Sequence, residues 1–267
     1  MEKKIGFIGL GNMATAIMGG LLAKKMAKPE NVIGYDKFAA ASEKAKTTYK
    51  ITTAINEEAV AEAADLLILA VKPNVLPEVL PKIGKAVRKS TVIISIAAGK
   101  TLAFLEEGLG RSDLKVVRCM PNTPALVLEG CTGVCANKNV TKKELDETLK
   151  LLGSFGKASV VPEKLMDVVV GISGSSPAYV FMFIEAMADA AVLAGMPRAQ
   201  AYEFSAQAVL GSAKLLLETG KHPGELKDMV CSPGGTTIEA VKVLEEMGFR
   251  ASVMDAVEAC IEKSKNI

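Results

Sequence analysis

Apolar and polar residues follow two alternating rhythms up to about residue 160 of the chain. Short, continuous apolar runs at Ile5–Ile8, Val32–Tyr35, Leu66–Val71, Thr91–Ile96 and Leu114–Cys119 have the length and composition of strands buried on both faces of a parallel sheet. Lys50–Thr53 reads as a further short strand. Between these runs, from Asn12 to about Lys25 and near 57–64, 75–88 and 101–108, the pattern turns helical. Repeated β–α units predict an α/β fold, a mainly parallel sheet with helices on both faces and ligands at the strands' carboxyl ends. After Val160-Val161-Pro162 the strand pattern stops. A helical run over 163–170 is expected to break at 171–177, where Ser176 reads as an N-cap and Pro177 as the first helical residue. Helices are then expected at about 178–193, 198–219, 223–230, 236–247 and 250–264. The expected domains are therefore 1–161, α/β, and 162–267, all-helical.

The helix over 178–193 is apolar nearly all round, apart from Glu185 and Asp189 at i, i+4 spacing. The two carboxylates read as a polar stripe or an interface contact before they read as a metal site. A helix of this kind must be buried, and the second domain is too small to bury it together with the helices that follow. It is expected to form a subunit interface.

Composition narrows the function classes. Of 267 residues 49% are apolar and 23% charged, the profile of a soluble globular protein, and a net charge of +2 without a Lys/Arg cluster favours neither nucleic acid nor an anionic membrane. Met-Glu-Lys-Lys leads straight into the first strand, so a secretory signal is not expected. Glu185 and Asp189 interrupt the most apolar stretch, which argues against a membrane span. Five scattered cysteines suit reduced thiols in a cytoplasmic protein. Cys131 and Cys135 lack a second ligand pair and read as small core residues of one strand face, so no metal is expected. The single histidine, His222, lies in a turn-like Gly-Lys-His-Pro-Gly and reads as structural, which leaves chemistry that needs no imidazole.

Candidate chemistry sits at both ends of the chain. Gly9-Leu10-Gly11-Asn12-Met13-Ala14 follows the first strand and opens a helix, the G-x-G-x-x-A form of the Rossmann dinucleotide fingerprint. Asp36 ends the second strand, where a carboxylate would bind the adenosine ribose and favour NADH. Lys37, next to it, can turn outward and attract a 2′-phosphate, so the two residues leave the choice between NADPH and NADH open. Other strand ends carry Val71-Lys72-Pro73 and Ile96-Ala97-Ala98-Gly99, the latter small enough to leave room for a flat ring. Lys72 reads equally as a solvated loop lysine. Far downstream, Ser232-Pro233-Gly234-Gly235 precedes a helix opening at Thr236 or Thr237. Unobstructed glycine N–H groups and a helix N-terminus make a receptor for a small carboxylate, although a plain capped helix would have a similar sequence.

Taken in order, GFIGLGNMA, AVKP at 70–73, SIAAG at 95–99, RCMPNTP at 118–124, GSSPAY at 174–179 and HPGELKDMVCSPGGTTIEAV at 222–241 resemble the pyrroline-5-carboxylate reductase family over essentially the whole chain. The last of these motifs is the most specific. The resemblance implies a Rossmann domain plus a helical dimerisation domain, reduction of Δ1-pyrroline-5-carboxylate to L-proline with NADPH or NADH, and dimers of a kind that often assemble further into decamers. It implies cofactor contacts at Gly9, Gly11, Asn12 and Met13 along the pyrophosphate, with Leu10 beside them. Asp36 and Asn56 would lie on the adenosine side, and Val71, Lys72, Pro73, Ala97 and Ala98, with Ala70, on the nicotinamide side. It further implies substrate contacts at Ser175, Gly234, Gly235 and Thr236, with the Thr237 hydroxyl near the ring nitrogen as the catalytic group. The β-hydroxyacid dehydrogenases share a similar opening, but they use a lysine on the first long helix of their second domain. Here the sole basic residue between Met166 and Ala201 is Arg198. A non-catalytic NAD(P) sensor would have no use for the Ser-Pro-Gly-Gly-Thr-Thr loop.

Overall fold

The computed structural model describes residues 2–266. Through residue 160 it runs β1 (Ile5–Ile8), α1 (Asn12–Ala23), β2 (Val32–Tyr35), α2 (Ala39–Tyr49), β3 (Thr52–Thr53), α3 (Glu57–Ala63), β4 (Leu66–Leu69), α4 (Leu76–Ala86), β5 (Val92–Ser95), α5 (Leu102–Leu109), β6 (Lys115–Met120), β7 (Gly130–Ala136), α6 (Lys142–Leu152) and β8 (Gly156–Val160). Among the described residues these strands form one eight-stranded sheet in the order β3-β2-β1-β4-β5-β6-β7-β8. Every neighbouring pair is parallel except β6 with β7. Chain order reverses between β1 and β4, and the crevice beyond such a switch point is where an open α/β sheet binds its ligand.

Continuous apolar strands are required because both faces are covered. Ile5 and Phe7 enter one core with Ile17, Met18 and Leu21 of α1. Ile8 enters the opposite core with Leu67, Leu69, Leu80 and Ile83. Successive side chains point to opposite faces of a strand, so a strand buried twice shows no polar alternation.

Several expectations are corrected. Lys50 does not begin a strand: it ends α2 in the left-handed region at φ 60°, and β3 is confined to Thr52–Thr53. Helices α2 and α6 and strand β8 were not anticipated. The first carries almost no apolar stripe, and the strand reads Gly-Lys-Ala-Ser-Val. Helix α6 opens with a reciprocal capping box between Thr141 and Glu144, a signal that was present at Thr141-Lys-Lys-Glu. Of the two strand cysteines only Cys135 is buried; Cys131 is exposed at the start of β7.

The expected break at 171–177 is also absent. α7 (Met166–Val169) passes through a π turn at Val170–Gly174 into α8 (Ser176–Leu193). Ser176 is therefore not an N-cap. The Ser175 N–H bonds the Val170 carbonyl at 2.8 Å, the wide spacing of a π turn. Pro177 has no N–H to give the Ser173 carbonyl; Asn122 Nδ2 donates to that carbonyl instead, at 2.9 Å.

The chain forms two compact units, Met1–Ser175 with Cys260–Ile267, and Ser176–Ala259. Met166 is fully buried and Val169 packs on Gly133, which ties α7 to the sheet. The Ser264 hydroxyl donates to Asp167 at 2.7 Å in the same unit. The second unit contains α8, α9 (Arg198–Thr219), α10 (Pro223–Val230), α11 (Thr236–Glu246) and most of α12 (Phe249–Lys265). Its helices are apolar yet uncovered, with Phe181 64%, Met182 69% and Leu193 90% exposed. Asp189 is engaged by Arg198, so the Glu185 and Asp189 stripe carries an ion pair.

Candidate active site

The glycine loop after β1 has the geometry of a phosphate cradle. Gly9 takes φ +91°, and a Cβ there would lie 2.7 Å from the Ala70 carbonyl oxygen, so only glycine lets the ends of β1 and β4 approach this closely. Gly11 has no heavy atom within 4 Å of where its Cβ would stand, which leaves the loop open above α1. It precedes α1 with no side-chain cap. The first-turn N–H groups of Asn12, Met13 and Ala14 therefore face outward with the positive end of the helix dipole, as an anion receptor requires. Ala14 is fully buried, the close packing that the fingerprint's last position demands. A cavity of about 250 Å³ lies beside the loop, between Gly11 to Thr15 and Ala41 to Tyr49.

Asp36 is tied into this loop. Its Oδ2 accepts the Leu10 N–H at 2.7 Å and its Oδ1 the Phe38 N–H at 2.9 Å. Asn56 uses its side-chain oxygen to cap α3, accepting from Ala59 N–H at 2.9 Å. That leaves the amide nitrogen as its outward donor. Ala70 and Val71 follow β4 half-buried, while Lys72 is exposed beyond them. Ala97 is buried after β5 and Ala98 half-buried beside it. Gly9 through Met13, Asp36 and Ala70 thus meet at the switch point, with Ala97 and Ala98 at the neighbouring strand end. The fit to a dinucleotide rests on the uncapped α1 and its open glycine.

Three residues hold this end of the sheet; Arg118 and Asn122 lie in the RCMPNTP stretch without a role read from sequence, and Glu163 carried no signal. Arg118, nearly buried, pairs with Glu163 at 3.2 Å. The same Glu163 oxygen accepts the Leu102 N–H at 2.7 Å, which pins the start of α5 behind Ala97 and Ala98. Asn122, also nearly buried, accepts the Cys131 N–H at 2.8 Å while donating to Ser173. Pro177 inside a helical run was the available signal, since it leaves a carbonyl in need of a donor. Burial pushes the Cys135 thiol up to about 11, with Glu163 reinforcing and Arg118 opposing. Ser175 follows the π turn, and its hydroxyl accepts from the Cys260 thiol at 3.1 Å.

In the second unit, Gly234 takes φ +66° with open space around its Cβ position. Gly235 precedes α11 without a side-chain cap. One expectation fails here: the Gly235 N–H closes a turn on the Ser232 carbonyl at 3.0 Å and is not available to a ligand. Gly234, Thr236 and Thr237 retain their N–H groups at the helix start, with Thr236 exposed and Thr237 half-buried. His222 caps α10, its Nδ1 accepting the Gly224 N–H at 3.1 Å.

Residues 163–267 match the pyrroline-5-carboxylate reductase dimerisation family, and residues 4–99 match the family described as NADP oxidoreductase, coenzyme F420-dependent. Pyrroline-5-carboxylate reductase of Escherichia coli is 55% identical, covering 100% of this chain and 99% of the relative. Among solved structures, Plasmodium falciparum pyrroline carboxylate reductase with NADP bound superimposes with a TM-score of 0.90 at 36% identity, covering 100% of this chain and 98% of the other. The Coxiella burnetii pyrroline-5-carboxylate reductase gives a TM-score of 0.93 at 33% identity with the same coverage. Uncapped glycine loop, buried sheet, helical second unit and full-length identity converge, and the chain belongs to the pyrroline-5-carboxylate reductase family of NAD(P)H-dependent oxidoreductases.

Proposed function

We infer that this chain reduces the C=N bond of Δ1-pyrroline-5-carboxylate to give L-proline, the final step of proline biosynthesis, with NADPH or NADH as reductant. The observation that carries the reading is Gly234, at φ +66° immediately before an uncapped α11, in a chain that also holds an uncapped α1 behind a glycine loop. The first suits a small carboxylate, the second a pyrophosphate. Bound reduced nicotinamide supplies a hydride to the imine carbon.

The chain's own residues orient and protonate. Gly9, Leu10, Gly11, Asn12 and Met13 hold the pyrophosphate, Asp36 and Asn56 the adenosine half, and Ala70 to Pro73 with Ala97 and Ala98 border the ring. Gly234 and Thr236 hold the substrate carboxylate through backbone N–H groups, with Ser175 as a further polar contact. Thr237 keeps a proton at the ring nitrogen through its hydroxyl. A protonated cyclic imine already accepts electrons well, so fixing its orientation does most of the work. No imidazole is required, consistent with His222 acting as a helix cap.

The dimerisation domain associates with a second copy, and further assembly into decamers belongs to the same proposal. The helical run Glu163–Leu193 spans 31 residues and contains a segment long and apolar enough to cross a membrane by length and composition. We assign its cover to a second copy, because Glu185, Asp189 and the Arg198 pair put charge along it. A division of labour into 1–161 for cofactor and 162–267 for association and substrate rests on the family match from residue 163. A cytoplasmic location with reduced thiols, and no nucleic-acid or membrane partner, complete the reading.

The test is to mix purified protein with Δ1-pyrroline-5-carboxylate and follow loss of reduced-nicotinamide absorbance. Rapid consumption is expected. Measurable cofactor binding with no turnover would overturn the substrate assignment.

A further inference from the structure

We propose that Asp36 makes this chain select NADH over NADPH, an inference that rests on reading the Gly9 to Asp36 loop as the cofactor's seat. Asp36 directly follows β2, whose backbone is paired on both sides by β1 and β3. Its carboxylate is held at two points, by the Leu10 N–H at 2.7 Å and the Phe38 N–H at 2.9 Å. Its own N–H donates to the Ser42 hydroxyl at 3.2 Å, which anchors it to α2. Swinging the carboxylate away would leave the Leu10 N–H without its acceptor in the middle of the glycine loop. The group is fixed.

A carboxylate has about four acceptor positions, and the two backbone contacts use one on each oxygen. One remains on each oxygen, which matches the two donors of a ribose with free 2′- and 3′-hydroxyls. A 2′-phosphate offers no donor there, and it brings a charge of about −1.5 to −2 against a fixed carboxylate. Compensation would have to come from nearby cations. Lys37 and Lys44 are both exposed, so their attraction is screened by solvent and salt. An arginine is the usual partner of the 2′-phosphate, yet the first arginine in the chain is Arg88. That side chain is engaged by Asp65 at 2.9 Å and by the Ala64 carbonyl at 2.8 Å. The half-buried, doubly held carboxylate therefore outweighs two mobile lysines.

The test is a fluorescence titration of the full chain with NADH and with NADPH, without substrate, for the wild type, Asp36→Ser and Asp36→Asn. Thermal melts verify that each variant is folded, and Asp36→Asn keeps the shape and one acceptor if Asp36→Ser loosens the loop. The wild type is expected to bind NADH about tenfold to a hundredfold more tightly, since like charges at contact distance repel strongly near a protein surface. Both variants should shrink or invert that ratio, with NADPH tighter and NADH weaker. Equal or tighter binding of NADPH by the wild type would overturn the inference. So would variants in which both affinities shift by the same factor. Selective NADH binding without turnover of Δ1-pyrroline-5-carboxylate would keep this inference and remove the substrate assignment; turnover with no cofactor selectivity would do the reverse.

Discussion

Replacing Asn122 by alanine is expected to loosen the π turn by a calculable amount. The side chain is 8% exposed, accepts the Cys131 N–H at 2.8 Å and donates to the Ser173 carbonyl at 2.9 Å. Alanine leaves a donor and an acceptor without partners. Each orphaned buried group costs about 1–3 kcal/mol, and partial access for water brings the pair to about 2–3 kcal/mol. For a chain of this size, each kcal/mol lowers the unfolding midpoint by about 2–4 °C. Asn122→Ala should therefore melt about 4–12 °C below the wild type, measured by circular dichroism at one fixed protein concentration because self-association shifts the midpoint. Specificity comes from Pro177. In Pro177→Ala the restored N–H can reach the Ser173 carbonyl, so the double variant should recover about 1 kcal/mol relative to the sum of the singles. Strict additivity, or an Asn122→Ala midpoint within about 1 °C of the wild type, would refute the claim that Asn122 substitutes for the missing proline donor.

Thr237→Ala should lower kcat by about 10²-fold or more, as loss of a positioned proton donor does, while the cofactor's Kd stays at the wild-type value; unchanged kcat removes Thr237 from the mechanism. Gly9→Ala sets a Cβ 2.7 Å from the Ala70 oxygen at φ +91°. It should cost about 1–3 kcal/mol of stability and weaken binding of either cofactor in a direct titration; a normal Kd would mean that the approach of β1 to β4 does not shape the site. The Cys135 thiol, pushed up to about 11 by burial, and the similarly raised Cys119 set an alkaline limit. A folded value above the unfolded one of about 8.5 means that their stability contribution is complete below that pH. It is then lost as pH rises toward and through the folded value. Denaturation midpoints should fall between about pH 8 and pH 11, less steeply in Cys135→Ala; a wild-type profile that stays flat would show that the thiols do not report on the fold.

Much of the sheet was legible because burial on both faces leaves a one-dimensional mark. Ile5–Ile8 and Val32–Tyr35 appear in the structure with the bounds their apolar runs suggest, since each neighbouring residue must enter a core. Helix α2, Ala39–Tyr49, buries Ala45 alone among its residues, so it carried no stripe to read. The glycine loop was legible for a local reason: a strand, a tight turn and an uncapped helix follow one another within a few residues. Other features depend on which partner each group finds once the chain has folded. Asp36 stood out at the end of β2, but nothing in the sequence says that the Leu10 and Phe38 N–H groups hold its carboxylate. The Gly234-Gly235 pair read as two equivalent donors, yet the turn takes one of them for Ser232.

The sequence by itself determined the layered α/β plan, the two glycine loops that precede helices and the apolar second domain, because local periodicity, glycine freedom and helix ends are properties of neighbouring residues. Tertiary structure alone decided which groups remain available. It carried the helix through Pro177 by supplying Asn122 from the turn after β6, pinned α5 with Glu163, and held Asp36 rigid. Each of these is a hydrogen bond between segments far apart in the chain, and its existence depends on how the sheet brings them together rather than on any pattern along the sequence.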